Sequence, residues 1–137
     1  MSTPAIIALD LQNGGNDIHC AAVYCHNDGY PSYMYHMLNN HYNNLDRVLD
    51  LISFGNASSI RKNLVPTKGS NHSFDHPEKD ISIFYHRDRG EPWDDVGTGL
   101  FKKEHLLALQ YYVYIYENDA WHLYVDGKEV TDLANCE

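Results

Sequence analysis

Tyr24-Cys25-His26-Asn27-Asp28-Gly29-Tyr30-Pro31 ends an apolar run and begins a helical one. Asp28-Gly29 breaks a strand, and proline suits the first turn of a helix, where no amide donor is needed. The stretch is a strand-to-helix joint, and it predicts a chain that mixes β and α structure. It also gathers a thiol, an imidazole, a carboxylate and a phenol on one turn, so it is the first place to look for chemistry.

Upstream, Ile18, Cys20, Ala22 and Tyr24 alternate with His19, Ala21, Val23 and Cys25. Neither set is clearly polar, so this strand is expected to be covered on both faces. Ala5 to Leu11 forms its partner. The link runs through Gln12-Asn13-Gly14-Gly15-Asn16-Asp17, where Asn-Gly and Gly-Gly supply the positive φ of a hairpin.

Downstream, Met34, Met37, Leu38 and His41 share one stripe at helical spacing. Leu45, Val48, Leu49 and Ile52 form the core face of a second helix, capped by Gly55. Tyr42-Asn43-Asn44 joins the two as a hairpin. Residues 56–80 read as a long loop punctuated by Pro66, Gly69, Asn71 and Pro77. Ile81 to His86 is predicted as a strand running into the charged turn Arg87-Asp88-Arg89-Gly90-Glu91-Pro92-Trp93, and Phe101 to Leu109 as a short helix. Tyr111 to Tyr116, Trp121 to Val125 and a stretch from Glu129 close the chain as a meander, turning at Asn118-Asp119 and Asp126-Gly127. The expected architecture is a single α+β domain, an antiparallel sheet packed on one face by a two-helix hairpin.

The 137 residues suffice for a core without staples. No apolar run approaches the ~20 residues of a membrane span. Met1-Ser2-Thr3-Pro4 lacks signal-peptide features, so a cytoplasmic location is expected. Cys20, Cys25 and Cys136 include no CxxC and are expected as free thiols. A net charge of −9, from 19 acids against 10 bases, opposes direct nucleic-acid binding. It suits a basic partner, including a protein that itself handles nucleic acid. Eleven tyrosines fit a binding surface.

Four chemistries can be weighed. For a metal, His26 and Asp28 form H-x-D, and His72 and His76 form H-x3-H. The latter falls in Ser73-Phe74-Asp75-His76-Pro77, a poor helix, so no metal or cofactor is expected. For a nucleophile, Cys25 and His26 are adjacent on a strand and point apart, so no catalytic set is expected. An anionic ligand fits better: Asp28-Gly29 precedes a helix, and Arg87 and Arg89 could clamp it, giving a site of His26, Asp28, Tyr30, His41, Arg87 and Arg89. The acids of the second half offer a partner surface, represented by Glu91, Trp93, Asp94, Asp95, Glu117 and Asp119.

Several strings resemble a group of small bacteriophage and prophage proteins. They are Tyr24-Cys25-His26-x-Asp28-Gly29-Tyr30-Pro31, Leu38-x-x-His41-Tyr42, Gly55-x-x-Ser58-Ser59, His72-Ser73-Phe74-Asp75-x-Pro77 and Tyr85-x-Arg87-Asp88-Arg89-Gly90-Glu91. The group's pattern is of the type CHWDGYP, HY, SS, FDxP, RDRGE, and it covers residues 5 to about 125 here. Asn27 stands where that pattern has tryptophan, and a glycine usual in the first helix is replaced within Ser32 to His36. Small phage proteins of this size often inhibit host defence, anti-CRISPR proteins among them. The resemblance therefore implies an acidic inhibitor that occludes a nucleic-acid-handling defence complex. The alternative is a protein that sequesters, or acts on, a nucleotide signal. Membrane contact is not expected, and an oligomer is allowed.

Overall fold

The computed structural model describes residues 2–11 and 19–130. The expected hairpin turn at residues 12–17, and Cys136, lie outside them. Among the described residues, eight strands and five helices make an α+β fold. In chain order they are β1 Ala5–Asp10, β2 His19–Cys25, α1 Pro31–His41, α2 Leu45–Ser53 and β3 Ala57–Ser59. β4 Ile83–Phe84, α3 Tyr85–Arg89, α4 Trp93–Val96, β5 Gly99–Lys102 and α5 Lys103–Leu107 follow, then β6 Tyr112–Glu117, β7 Ala120–Val125 and β8 Lys128–Val130. Among the described residues no helix is long and apolar enough to cross a membrane.

The sheet runs β4-β3-β2-β1-β6-β7-β8, with β5 on the outer edge of β2. It is mixed rather than antiparallel. β1 runs parallel to β6, Ala5 opposite Tyr112, and β2 meets β3 in parallel at Cys25 and Ala57. The reason is topological: the final meander enters the sheet at the edge of β1 that β2 leaves free.

Both faces of β2 are covered, as its alternation requires. On one face Ala5, Ile7, Leu9, Val23, Cys25, Tyr114, Tyr116, Trp121 and Leu123 pack with α1 and α2. On the other Ile6, Ala8, Cys20, Ala22, Val113, Ile115 and Tyr124 pack with Leu106 of α5. The helix pair thus covers one face, and α5 starts later and ends sooner than the helix expected at 101–109. In α1, Met34 and Leu38 are buried while His41 is exposed. In α2 the core face is Val48, Leu51 and Ile52, and Leu45 and Leu49 stand half exposed.

The segments read as loops hold more order than periodicity reveals. β3 is only three residues long, too short to leave a pattern. Ile81 to His86 is not one strand. Ile81 makes an isolated parallel bridge to Asn63, Ile83–Phe84 pair with β3, and α3 begins at Tyr85. The Asp88 carboxylate accepts the Phe84 amide at 2.8 Å, and Gly90 ends the helix at φ +81°. A side-chain cap and a left-handed stop override the β preference of Ile-Phe-Tyr.

Gly29 decides how the joint meets the sheet. Its amide donates to Thr3 O at 2.7 Å, and its carbonyl accepts from the Tyr114 hydroxyl at 2.7 Å. A Cβ there would stand 2.6 Å from the Ala5 Cβ. Close approach of the two backbones is what the glycine permits.

Candidate anion-binding cleft

Residues 47–89 hold seven of the ten lysines and arginines but only five of the nineteen acids. In a chain of net charge −9 this is a local reversal, and the fold concentrates it. A cleft of about 440 Å³ opens between α1 and the segments at 61–62 and 77–83. Tyr33, Met37 and His41 of α1 form one wall, and Arg61, Lys62 and Lys79 bring cations to the other.

Arg61 is the best-positioned of these. Its amide donates to the Ser82 hydroxyl at 2.7 Å, and its carbonyl accepts from the buried Tyr42 hydroxyl at 2.5 Å. With the backbone fixed at both polar groups, the side chain lies over the Tyr33 ring, 5.6 Å from its centroid. Its guanidinium donates to the Tyr33 oxygen at 2.9 Å, while the Tyr33 hydroxyl donates to Ile60 O at 2.8 Å. Asp28 lies 3.5 Å away and completes the brace. Burial raises the Tyr33 phenol, so it stays a neutral donor at ordinary pH. A guanidinium held this way needs little ordering when it meets an anion.

The other cations differ in their partners. Lys62 sits 3.7 Å from Asp80, with both side chains about half exposed. No carboxylate among the described residues lies within ion-pair distance of Lys79. Glu78, also in the cleft wall, is turned to the 67–70 turn. The Thr67 hydroxyl, Ser70 and the Thr67 amide hold its carboxyl below the usual range.

Comparison with protein-family models, with curated proteins and with solved structures finds no match. The site therefore rests on its own geometry.

The six residues expected to line one site do not converge. Tyr30 stays near one end of the cleft, its ring 6.2 Å from that of Tyr33, with Asp28 against Arg61, while His41 lines the cleft at the far end of α1. His26 turns instead to Tyr24, whose hydroxyl lies 2.8 Å from Nδ1 and whose ring packs with the second core cluster. Arg87 and Arg89 form no clamp. They lie on a helix, where residues two apart face different directions. Arg87 bonds Leu64 O, Ser82 O at 2.8 Å and Asp88, and stacks over Phe54 and Phe84. It is a fastener for the 61–82 segment. Arg89 lies over Phe74 at 4.9 Å and 3.7 Å from Glu91.

The partner-surface residues also divide. Trp93, Asp94 and Asp95 are exposed together on α4, with Glu91 just before them. Asp119 is exposed in the β6–β7 turn, on another element. Glu117 is not a surface acid. Its oxygens take Lys103 Nζ at 2.7 Å and the Tyr124 hydroxyl at 2.5 Å, because β6 turns that side chain under α5.

Cys25 is fully buried, its thiol against Asn27 O at 3.4 Å, and burial pushes it up to about 12. A thiol in that state is a poor nucleophile. The His72 side chain is buried as well, Nδ1 accepting the Glu78 amide at 2.9 Å and Nε2 3.3 Å from Asp88. His76 is exposed, and no metal-holding cluster occurs among the described residues.

Residue pattern does not single out Tyr33, and it offers Arg61 only within Arg61-Lys62, one of two basic doublets. The signal available was charge segregation. Arg61-Lys62 looks thin as a nucleic-acid surface, but it stands inside the one basic stretch of an acidic chain.

Proposed function

We propose that the protein binds and sequesters a small phosphorylated ligand of the nucleotide class in the cleft between α1 and residues 61–83. The observation that carries this reading is Arg61, fixed through Ser82, Tyr42, Tyr33 and Asp28 beside an aromatic wall and two further lysines. A phosphate would meet Arg61 and Lys62, and a base would lie along Tyr33 and Met37. The cleft volume falls within the range of small-molecule sites. The cleft fits the alternative reading of the sequence, a protein that sequesters a nucleotide signal. A nucleotide panel in thermal unfolding tests it: a ligand at a hundredfold excess over its Kd adds about 2.7 kcal/mol. No shift with any nucleotide would reject the reading.

A second reading is supported by α4, where Trp93, Asp94 and Asp95 expose an aromatic beside two acids. Such a patch suits a basic protein surface, and an inhibitor of a nucleic-acid-handling defence complex would use it. Pull-down of host defence complexes, followed by charge reversal at Asp94 and Asp95, tests it. Unchanged inhibition after reversal would count against the electrostatic contact.

A further inference from the structure

We propose that the binding site is two-lobed and takes a ligand of two nucleotide units joined through phosphate. This rests on the nucleotide reading above and names the class of nucleotide.

A second hollow, about 640 Å³, lies between the outward side of α2 and residues 62–67 and 78–81. It shares Lys62, Glu78, Lys79, Asp80 and Ile81 with the Tyr33 cleft. The two are thus consecutive compartments meeting at the Lys62–Asp80 pair. Each has its own apolar wall, Tyr33 and Met37 in the first, Phe54 and Val65 in the second. Each also has its own arginine, Arg61 in the first and Arg47 in the second.

The junction holds two lysines and two acids, Lys62 and Lys79 against Asp80 and Glu78; Glu78 is held by Thr67, which leaves Lys79 without a partner acid among the described residues. Arg47 donates to the carbonyls of His41 and Lys62, both at 3.1 Å. No carboxylate among the described residues lies within ion-pair distance of it, although Asp50 lines the same compartment. Lys79 is in the same condition. Lys62 faces Asp80 at 3.7 Å with both side chains half exposed, a pair that contributes little and yields readily to a stronger anion. A phosphate at the junction would take Lys62 and Lys79, with one base in each compartment. A mononucleotide fills one compartment and leaves the other to water.

The test is titration calorimetry with 5′-phosphorylated dinucleotides of each base, the matching mononucleotides, and inorganic phosphate. The expected result is a dinucleotide that binds about 100-fold or more tighter than its mononucleotide. Val65 is 69 % exposed and lines only the second compartment, so Val65→Glu blocks that compartment without disturbing the core. It should abolish the dinucleotide advantage and leave mononucleotide binding intact. Lys79→Ala should weaken the dinucleotide about tenfold, and Arg61→Met should weaken both ligands. Dinucleotide and mononucleotide affinities within threefold of each other would overturn the two-lobed site while the nucleotide reading stands. Absence of binding by every nucleotide would overturn both.

Discussion

The guanidinium of Arg61 lies 3.5 Å from the carboxylate of Asp28, so the principal cation of the cleft is braced by the turn that joins β2 to α1. Both side chains are about one-third exposed, and a pair of that kind contributes at most about 1 kcal/mol. Asp28 also sits at φ +61°, which Asp and Asn tolerate and β-branched residues do not. Asp28→Asn should therefore cost less than about 1 kcal/mol, and Asp28→Val about 2 kcal/mol more. Urea unfolding separates the two. Equal losses would show that charge, not backbone conformation, governs the position.

Arg87 and Asp88 fasten the opposite end of the same segment. Asp88 accepts from Arg87 at 2.8 Å and from the Phe84 amide at 2.8 Å, with His72 beside it. The Asp88 side chain is nearly fully buried, so Asp88→Asn leaves Arg87 short of its counter-charge and should cost about 3 kcal/mol. Hydrogen exchange at residues 61–82 should rise more than in β6 and β7. Uniform exchange across the chain would argue against a local fastener.

Acid and alkaline unfolding should have separate causes. Burial alone would raise the Asp88 and Glu117 carboxyls. Arg87 and the Phe84 amide outweigh it at Asp88, and Lys103 and Tyr124 at Glu117, so both sit below the usual range. Their folded values lie below their unfolded ones, so their stabilisation is present above about pH 4 and lost as pH falls through the folded values. At the other limb, burial and Glu117 push Tyr124 up to about 12. Lys103 is raised too, because Glu117 and Tyr124 outweigh its burial. Raised groups stabilise below their unfolded values near pH 10 and lose that contribution as pH climbs through the folded ones. The urea midpoint should be flat from about pH 5 to pH 9 and fall on both sides. Glu117→Gln should shift the alkaline fall to lower pH; an unmoved alkaline limb would refute the coupling.

The parts of this fold legible in the sequence are those long enough to show a period. Tyr111 to Tyr116 and Trp121 to Val125 appear as β6 and β7, paired through their turn, and the strand-to-helix joint at Asp28-Gly29-Tyr30-Pro31 is where it was expected. β3 pairs with β2 only at Cys25, and β5 exposes both Leu100 and Phe101, so neither leaves an alternating pattern. α3 depends on a carboxylate four residues beyond the strand, a signal that lies in a cap rather than in hydropathy. The site was harder still. Asp28 stands against Arg61 and Tyr30 beside Tyr33, but Arg87 is held by carbonyls that no local reading would pair with it.

Gly29 offers a test of the joint as a packing device. The Ala5 Cβ and Thr3 O would stand 2.6 and 2.7 Å from an added Cβ, so β1 or α1 must shift. Gly29→Ala should cost about 2 kcal/mol or more. Gly90 has positive φ but open space around it, so Gly90→Ala should cost only about 1 kcal/mol. Chemical denaturation of both variants gives the order, and a reversed order would place the constraint in α3 rather than in the joint.

The two described thiols give a direct check on burial. Cys20 and Cys25 are fully buried, and burial pushes them up to about 11 and about 12. Neither should react with a thiol reagent in the folded protein at neutral pH. A chain carrying Cys136→Ser isolates them. It should take up no reagent natively over minutes and two equivalents in guanidinium chloride. A native thiol reacting at the rate of free cysteine would mean that β2 opens without global unfolding. It would also return Cys25, beside the cleft corner, to consideration as a nucleophile.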